Sequence, residues 1–514
     1  MIPRVIAAAG GGALLAFSFP PASYSAVALF ALIPLLWAVE ADRRPGWSLL
    51  YGMTFGAVFF ALDVSWVYRT LALHGQLHPA TAVLVFVGMV ATLSLFPGCF
   101  GLAEDLLRRR GLPVTISAPF VWVAIEYARS VFFTGFPWDL IGYSQMPREL
   151  LIQIADLTGV YGVSFVVVLV NSALFELAQW IAGYGKARWS LPAACAVTVA
   201  LAVVYGTVRL GHYPVAASSD RGCSIGILQG NIAQEVKWEK QVRNYTFLTY
   251  ERLGRLARDK GADLLVWPET AVPVCLGSGD PDWDRAVAIS SRLARPMVIG
   301  SPSLEVIDGK EHFYNSAFLV DGDGPLLRYD KVHLVPFGEY MPLTWLLPLG
   351  PGIAARDGDF SAGDSMTVMR LDGCPPFGVL ICYEAIFPEL ARAAIGNGAT
   401  LLMNLTNDAW FGQSAAPYQH VQLARMRSVE NRVWMVRAAN TGISAAFDPA
   451  GRVVASIPLG EEGFTVVTIP STTTAGSFYS RFGDVFAWAC ILMCIASLIR
   501  PSRVSVGSKS RDAR

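Results

Sequence analysis

The feature that most constrains the fold is a series of long apolar segments separated by short polar turns. Seven lie in the first part of the chain, at about 5–20, 24–39, 50–72, 80–103, 114–134, 158–182 and 190–208, and an eighth lies at about 483–499. Several approach the roughly 20 residues that a helix needs to cross a bilayer, whereas the first, second and last are short. An apolar content of 53% agrees with this interpretation. The sequence therefore predicts a polytopic α-helical membrane domain with eight spans.

Basic residues in the loops predict the orientation of these spans. One side carries Arg4, Arg43, Arg44, Arg108, Arg109, Arg110, Lys186, Arg188, Arg500, Arg503, Lys509, Arg511 and Arg514, and the other side carries Arg69, Arg129, Arg148, Arg209 and Arg481. By the positive-inside rule, both termini are cytoplasmic. We expect a transmembrane domain at 1–210, an extracytoplasmic domain at 211–480, and an eighth span with a cytoplasmic tail at 481–514.

The outer block has a different pattern, in which short apolar runs alternate with amphipathic ones. The predicted strands are Cys223–Gln229, Ala262–Glu269, Met297–Leu304, Asn315–Val320, Phe377–Cys382, Ala399–Asn407 and Met435–Asn440. The predicted helices are Gln241–Asp259, Asp282–Leu293, Pro388–Gly396 and Tyr418–Glu430. Strands that alternate with helices are typical of an α/β domain. No internal repeat is visible in the sequence.

Composition argues against several classes of function. The net charge is zero and there is no stripe of basic residues, so we predict no nucleic-acid partner. The eight cysteines lack the paired short spacing of zinc or thioredoxin sites, and the close pair His74 and His78 has no third ligand nearby. We therefore expect neither a metal nor a cofactor.

Cysteines of the outer block would face an oxidising compartment, where thiols tend to pair. They are Cys223, Cys275, Cys374 and Cys382. We expect Cys382 to stay a free thiol, and the spacing leaves open whether the other three pair.

Three polar residues of the outer block stand where an apolar strand ends or a loop begins. Glu269 closes one apolar run, Lys331 opens a loop, and Cys382 closes the run that starts at Gly378. A nucleophilic cysteine needs a base for its proton and a positive group for the oxyanion. A carboxylate in an apolar pocket suits the first role and a desolvated ammonium the second. Taken singly, each residue has a plain structural explanation: a packed cysteine, a helix-start carboxylate and a surface lysine.

Taken together, these residues resemble the nitrilase superfamily, whose Glu-Lys-Cys triad occurs in this order on an αββα sandwich. The motifs that carry the resemblance are Gln229-Gly230-Asn231-Ile232 with Trp238, Trp267-Pro268-Glu269-Thr270, Phe337-Gly338-Glu339-Tyr340, Cys382-Tyr383-Glu384, and Asn404-Leu405-Thr406-Asn407-Asp408-Ala409-Trp410-Phe411. With eight spans and Gly135-Phe136-Pro137-Trp138 after the fifth, the whole chain resembles the apolipoprotein N-acyltransferase family.

That resemblance implies a role for each residue of the predicted site. Glu269 would be the general base, Lys331 the stabiliser of the oxyanion, and Cys382 the nucleophile. Supporting residues would be Glu339, which keeps the ammonium charged, together with Tyr383 and Glu384. Trp238 would either bind acyl chains or pack in the core.

The resemblance also implies the partners of the reaction. The acyl donor would be a phospholipid, usually phosphatidylethanolamine, and the acceptor the N-terminal diacylglyceryl-cysteine of an apolipoprotein. We expect ping-pong acyl transfer through a thioester, a monomer, and a location in the bacterial inner membrane with the catalytic domain on the periplasmic side.

Two features outside the triad carry further expectations. The segment Trp410-Phe411-Gly412 is either a lid over the thioester, with Trp410 against the lipid, or a cap of the sandwich. Charged residues within the spans, Asp63, Glu126 and Arg129, should face protein, and the last two lie on one helix face where they can pair. Trp138 is most simply an interfacial anchor.

Two other functions are compatible with parts of the sequence. A membrane-tethered nitrilase-type amide hydrolase would use the same triad, although tethering requires one span and not eight. A transporter with an outer solute-binding domain would not be an enzyme, but few ionisable residues lie within the spans.

Overall fold

The computed structural model describes residues 1–499, except 43, 74, 76, 185–188, 214–221, 235–236, 238, 277–278, 341–358 and 472–475.

The first part of the chain is helical throughout. Its helices are α1 (Ile2–Ala16), α2 (Ile33–Asp42), α3 (Pro45–Asp63), α4 (Trp66–Leu73), α5 (Pro79–Arg109), α6 (Val114–Val131), α7 (Glu149–Ile152), α8 (Ala155–Thr158), α9 (Val160–Ile181) and α10 (Ser190–His212). The predicted segment 24–39 holds a 3₁₀ turn, Val27–Leu29, and the start of α2. The predicted segment 50–72 is split after Asp63 into α3 and α4.

Four of the described helices, α3, α5, α9 and α10, are long and apolar enough to cross a membrane. The apolar helix α1 at the start of the chain is shorter. A 19-residue helix such as α3 is about 28 Å long, which is close to the thickness of the hydrocarbon core. The chain is therefore a membrane protein.

Ion pairs gather at one end of this helical part. Arg4 lies 2.9 Å from Asp42, Arg108 lies 2.5 Å from Glu40, and Arg109 lies 3.0 Å from Asp105. These residues belong to the start of α1, the end of α2 and the end of α5. The opposite end of α3, at Asp63, touches the outer block, as described below.

The outer block contains two sheets and four longer helices. Its elements are β1 (Gly222–Gln229), α11 (Lys240–Asp259), β2 (Leu264–Val266), α12 (Asp282–Leu293), β3 (Met297–Ile307), β4 (Lys310–Asp321), β5 (Gly324–Asp330), β6 (Val368–Met369), β7 (Phe377–Ile381), α13 (Pro388–Gly396), β8 (Leu401–Thr406), α14 (Ala416–Asn431), β9 (Trp434–Ala439), β10 (Ser444–Phe447), β11 (Val453–Ile457) and β12 (Gly463–Pro470). Helices α15 (Phe478–Phe482) and α16 (Val485–Ile499) follow, and the apolar α16 has 15 residues.

The two sheets have six strands each and the same pattern of directions. Their orders are β12-β1-β2-β3-β4-β5 and β6-β7-β8-β9-β10-β11. In each sheet the second, third and fourth strands run parallel to one another and the remaining neighbours are antiparallel. The two sheets thus share one topology, although no internal repeat is visible in the sequence.

Alternating side chains of the strands build two apolar layers. Ile225, Val266 and Val298 face Val379 and Met403 of the other sheet. The other face of the first sheet packs on α11 and α12, through residues such as Leu265 and Ile299. Helices α13 and α14 pack beside the second sheet, which gives the order helix, sheet, sheet, helix.

Helix α14 lies between the second sheet and the membrane helices. Ala424 belongs to the apolar cluster of the sheets, whereas Leu423, Met426 and Val429 belong to the cluster of the membrane helices. The outer block therefore rests on the helical part through a shared core.

A disulfide between Cys223 and Cys374 closes the sandwich at one side. It joins β1 to the turn that precedes β7, with 4.8 Å between the two Cα atoms. Cys382 is a free thiol, as expected.

Candidate active site

Cys382 stands at the carboxyl end of β7, where the strand turns into a 3₁₀ helix. Its φ of +53° lies in the left-handed region, which costs a non-glycine residue free energy and is typical of functional positions. Burial raises the pKa of the Cys382 thiol, the charge of Glu269 adds to this, and the ammonium of Lys331 opposes it. The resting site therefore holds a thiol, whose proton must leave during an attack.

Glu269 follows β2 in the facing sheet and is buried. Its Oε1 accepts a hydrogen bond of 2.8 Å from Asn315 Nδ2, and its Oε2 has no partner among the described residues. Burial raises the pKa of Glu269, and Lys331 partly opposes that shift. A carboxylate with a raised pKa and an open oxygen is suited to receive a proton.

Lys331 follows β5 and is 1% exposed. Its Nζ donates to Glu339 Oε1 over 2.8 Å. Burial lowers the pKa of Lys331, but the charges around it, above all that of Glu339, raise it above its ordinary value. The side chain thus remains an ammonium inside an apolar site, which suits it to stabilise a developing negative charge.

Asn315, where the buried half of β4 begins, is a site residue that the sequence analysis missed. Its Nδ2 donates to Glu269 Oε1 at 2.8 Å and to Glu339 Oε1 at 2.9 Å, and its backbone oxygen accepts from Lys331 N. The side chain of Asn315 thereby links the carboxylates of Glu269 and Glu339. The sequence signal that could have identified Asn315 was its place as the polar first residue of the predicted apolar strand Asn315–Val320.

Glu384 fixes the backbone that carries the site residues. Its carboxylate accepts hydrogen bonds from the backbone N–H groups of Val332, His333 and Ile381 and from Tyr329 OH, over 2.7–3.0 Å. These bonds tie the loop after Lys331 to the strand that ends at Cys382. The structure thus joins the two halves of the site through Glu384.

Tyr383 and Trp238 are the two remaining residues predicted near the nucleophile. The ring of Tyr383 packs against Phe387, with 5.1 Å between centroids, and lies 6.1 Å from the ring of His333. Trp238 lies outside the described residues, so its predicted contact with acyl chains stays a prediction.

Lys237, beside Trp238 in the same motif, is a second missed residue. It is buried, and its Nζ donates to Thr270 Oγ1 over 2.7 Å and to the backbone oxygen of Glu269 over 3.4 Å. Burial lowers the pKa of Lys237 to about 7, and the charge of Glu269 opposes the shift. The lysine braces the turn that carries Glu269.

The segment after β8 contacts the membrane helices. The ring of Phe411 lies 4.8 Å from that of Trp66, and the backbone oxygen of Trp410 accepts from Thr70 Oγ1. The side chain of Trp410 is 41% exposed. Phe411 is therefore part of the packing between the two domains, and the predicted lipid contact of Trp410 remains untested.

The prediction that Trp138 anchors the chain at the membrane interface is wrong. Trp138 is 1% exposed, and its Nε1 donates to Gln419 Oε1 over 3.0 Å. Its ring packs beside Trp66. The indole is buried between the domains because its N–H finds an acceptor on α14.

The charged residues of the spans face protein, as expected. Arg129 donates to the backbone oxygen of Trp138 over 2.8 Å, and Glu126 accepts from Ile141 N over 2.7 Å. Both side chains thus bind the segment after α6, which contacts the outer block through Trp138 and Gln419.

Comparison with known proteins follows the same division of the chain. Residues 11–173 match the family described as "Apolipoprotein N-acyltransferase N-terminal domain", and residues 224–476 match "Carbon-nitrogen hydrolase". A protein of Geobacter metallireducens named apolipoprotein N-acyltransferase is 40% identical over 95% of this chain and 94% of its own length. One of Agrobacterium fabrum with the same name is 32% identical over 96% of this chain and 95% of its own length. Among solved structures, an amidase of the nitrilase superfamily from Nesterenkonia AN1 is 22% identical with a TM-score of 0.40, covering 53% of this chain and 98% of the amidase.

Proposed function

Because this chain belongs to the apolipoprotein N-acyltransferase family, we propose that Glu269, Lys331 and Cys382 transfer an acyl chain to a lipoprotein. The chain is an acyltransferase of lipoprotein biosynthesis, and its substrates are a phospholipid donor and a lipoprotein acceptor. The amide hydrolase and the transporter are not favoured, because relatives that align over nearly the whole chain are named apolipoprotein N-acyltransferase and residues 11–173 match the N-terminal domain of that family.

The first half-reaction forms a thioester. Glu269 accepts the proton of the Cys382 thiol as the sulfur attacks the sn-1 ester carbonyl of the phospholipid. The ammonium of Lys331 faces the oxyanion, and the backbone N–H of Tyr383 is a second donor. When the tetrahedral intermediate collapses, Glu269 returns its proton to the departing oxygen and a lysophospholipid leaves.

The second half-reaction transfers the chain to an amine. The free α-amine of the diacylglyceryl-cysteine attacks the thioester carbonyl, and Glu269 accepts a proton from the attacking nitrogen. The carbon–sulfur bond then breaks, and the thiolate of Cys382 recovers that proton from Glu269. The product is an amide, and the enzyme returns to its starting state.

One observation carries this proposal. The free thiol of Cys382 has a left-handed backbone conformation, and its pKa is raised by burial and by the charge of Glu269 and lowered by the ammonium of Lys331. Asn315 donates hydrogen bonds to both Glu269 and Glu339, and Lys331 donates one to Glu339. The base and the ammonium are thus linked through Asn315 and Glu339. A site of this composition performs acyl transfer without a further group.

The finer location is part of the proposal: eight spans, with the catalytic domain on the periplasmic side of the inner membrane. The ion-paired end with Arg4, Arg108 and Arg109 is the basic end, which would be cytoplasmic. The other end of α3 meets the outer block, where a disulfide suits an oxidising compartment. We retain the boundaries 1–210, 211–480 and 481–514 as proposals.

The partners are also proposed in finer detail. We propose phosphatidylethanolamine as donor, a monomeric enzyme, and contacts of Trp238 and Trp410 with acyl chains. An acyl chain can reach Cys382 from the bilayer without passing through water, because the outer block rests directly on the membrane helices.

Intact-mass analysis tests the proposed chemistry. The purified protein is incubated with vesicles of phosphatidylethanolamine and no acceptor. We expect a mass increase of one acyl chain, located on the peptide that holds Cys382. Cys382→Ala should show no increase, whereas Cys99→Ala, which removes an exposed cysteine of α5, should acylate normally. Acylation that persists in Cys382→Ala, or its absence from the wild type, would overturn the proposal.

A further inference from the structure

His420 is a buried residue of α14 that lies directly behind the nucleophile. Its Nε2 is 3.1 Å from the backbone oxygen of Cys382, which also accepts a bond of 3.3 Å from Asn404 Nδ2. Cys382 has its φ at +53°, so its conformation depends on bonds that hold the peptide from outside. His420 and Asn404 make such bonds.

The backbone oxygen of Cys382 can only accept, so Nε2 of His420 carries the hydrogen of their bond, and the partners of Nδ1 are compatible with this. His420 Nδ1 lies 3.0 Å from Asp408 Oδ1 and 3.2 Å from Arg437 Nη2. Arg437 in turn donates to Asp408 Oδ2 over 2.6 Å, and all three side chains are buried. In the imidazolium, Nδ1 donates to Asp408; in the neutral ring, Nδ1 accepts from Arg437. In both cases Nε2 bears the hydrogen that is donated to Cys382.

The neighbouring residue on α14, Gln419, binds the membrane domain. Its Oε1 accepts from Trp66 Nε1 and Trp138 Nε1, each over 3.0 Å, and its Nε2 donates to the backbone and side-chain oxygens of Asp63, each over 3.1 Å. Both polar atoms of this buried amide are doubly engaged. Two consecutive residues of one helix therefore contact the nucleophile on one side and three segments of the membrane domain on the other.

We propose that His420 is a positioning residue that holds the Cys382 peptide, and that Gln419 sets its position relative to the membrane helices. This inference rests on the proposed function, because it assumes that Cys382 is the nucleophile. The lipid substrate lies in the membrane and the thiol lies in the outer block, so the attack requires a fixed distance between the two. Gln419 and His420 form the hydrogen-bonded connection that can supply it.

The first test measures thioester formation in a single turnover, at several concentrations of phosphatidylethanolamine in vesicles. His420→Ala should lower the maximal rate by about 10- to 100-fold and leave the half-saturating lipid concentration unchanged. His420→Gln, whose amide can still donate to Cys382, should recover most of the rate. His212→Ala, at the exposed end of α10, is the matched control and should behave as the wild type.

Two results would overturn the role of His420. The maximal rate could be unchanged in His420→Ala, or His420→Gln could lose as much rate as His420→Ala while both melt at the wild-type temperature. Failure of the wild type to acylate Cys382 would instead contradict the proposed function, so the two failures are distinguishable.

A double-mutant cycle tests the connection to the membrane domain. Gln419→Ala should slow thioester formation in the wild-type background and have little further effect in His420→Ala, because both changes break one connection. Rate losses that multiply would show that Gln419 and His420 act independently and would contradict the proposal. If Gln419→Ala does not fold, Trp138→Phe replaces it in the cycle, since it removes one N–H donor and keeps an aromatic ring.

Discussion

At the scale of single residues, the site depends on one amide between two carboxylates. Glu269 and Glu339 both lie close to Lys331, and two carboxylates in a dry site repel each other. Asn315 Nδ2 donates to both, over 2.8 and 2.9 Å, and so fixes the position of the two carboxylates relative to each other. The hydrogen bond from Asn315 thus lowers the pKa of Glu269, the proposed base.

Asn315→Ala should reduce the rate of thioester formation by about 10-fold or more, because the base loses its orientation. Removing a donor to the charged form also raises the pKa of Glu269 further, so the acidic limb of the pH–rate profile should move to higher pH. Single-turnover rates against pH measure both effects. Asn244→Ala, on the exposed face of α11, serves as control, and an unmoved acidic limb in Asn315→Ala would contradict this role.

The pH dependence of the wild type follows from the same residue. Burial holds the pKa of Glu269 above its ordinary value, and only the carboxylate can accept the thiol proton. Acylation should therefore fall as pH is lowered through this raised pKa, at a higher pH than a surface glutamate would give. Glu269→Gln should lose about 10²- to 10⁴-fold in rate at neutral pH. Glu311→Gln, at the exposed start of β4, is the control and should keep the wild-type profile. A wild-type rate of acylation that does not change between about pH 4 and 7 would exclude Glu269 as the base.

At the scale of elements, the site is assembled from strand ends of two different sheets. Strands β2 and β5 present Glu269 and Lys331, and β7 presents Cys382 from the facing sheet. Face-to-face packing alone does not fix the register between the loops that follow these strands. Glu384 supplies that connection, since it binds backbone N–H groups on both sides of the gap.

Replacing Glu384 by alanine should loosen both halves of the site together. Several buried donors would lose their acceptor, at a cost of about 1–3 kcal/mol each. We expect a lower melting temperature in detergent and a rate of thioester formation reduced by more than the unfolded fraction accounts for. Glu384→Gln, which keeps one acceptor oxygen, should lie between the wild type and Glu384→Ala. A loss of stability with a normal rate per folded molecule would limit Glu384 to a structural role.

At the scale of the whole molecule, the disulfide and the shared core hold the sandwich together and on the membrane. The bond between Cys223 and Cys374 closes a loop with a sequence separation of 151 residues. A loop of this length is worth about 5 kcal/mol in the chain-entropy model. The bond stands away from Cys382, which keeps its thiol.

Reduction should therefore lower stability and spare the chemistry. Cys223→Ser/Cys374→Ser should unfold at a lower temperature than the wild type and still form the thioester at low temperature. Thermal unfolding with and without a reducing agent measures the first effect, and intact mass measures the second. Equal melting of the reduced and oxidised proteins would show that the bond contributes nothing to stability.

Orientation in the membrane is a property of the same scale. Glu311→Cys in the outer block should react with a membrane-impermeant maleimide added to intact spheroplasts, whereas Arg110→Cys, between α5 and α6, should react only after lysis. Cys382 is only partly buried, so each variant is compared with the wild type. The opposite pattern would place the catalytic domain in the cytoplasm.

Much of the fold follows from local patterns. The predicted helix Asp282–Leu293 has the bounds that the structure gives, and the strand Phe377–Cys382 differs by one residue. The strands β5, β6, β10, β11 and β12 were missed, since β6 and β10 have two and four residues and β5, β11 and β12 have mostly partly exposed or exposed residues. Hydrophobic periodicity identifies a segment only where one face is continuously buried.

The apolar segments of the membrane domain, the alternation of strands and helices and the residue types at the strand ends can all be predicted from sequence, because they depend on side chains close together in the chain. Which polar groups meet depends on how the chain packs in three dimensions. Gln419 binds Trp66 and Trp138 across 353 and 281 residues, and Asn315 binds Glu269 across 46. A buried polar group must find a partner wherever packing brings one, and that requirement acts through space, not along the chain.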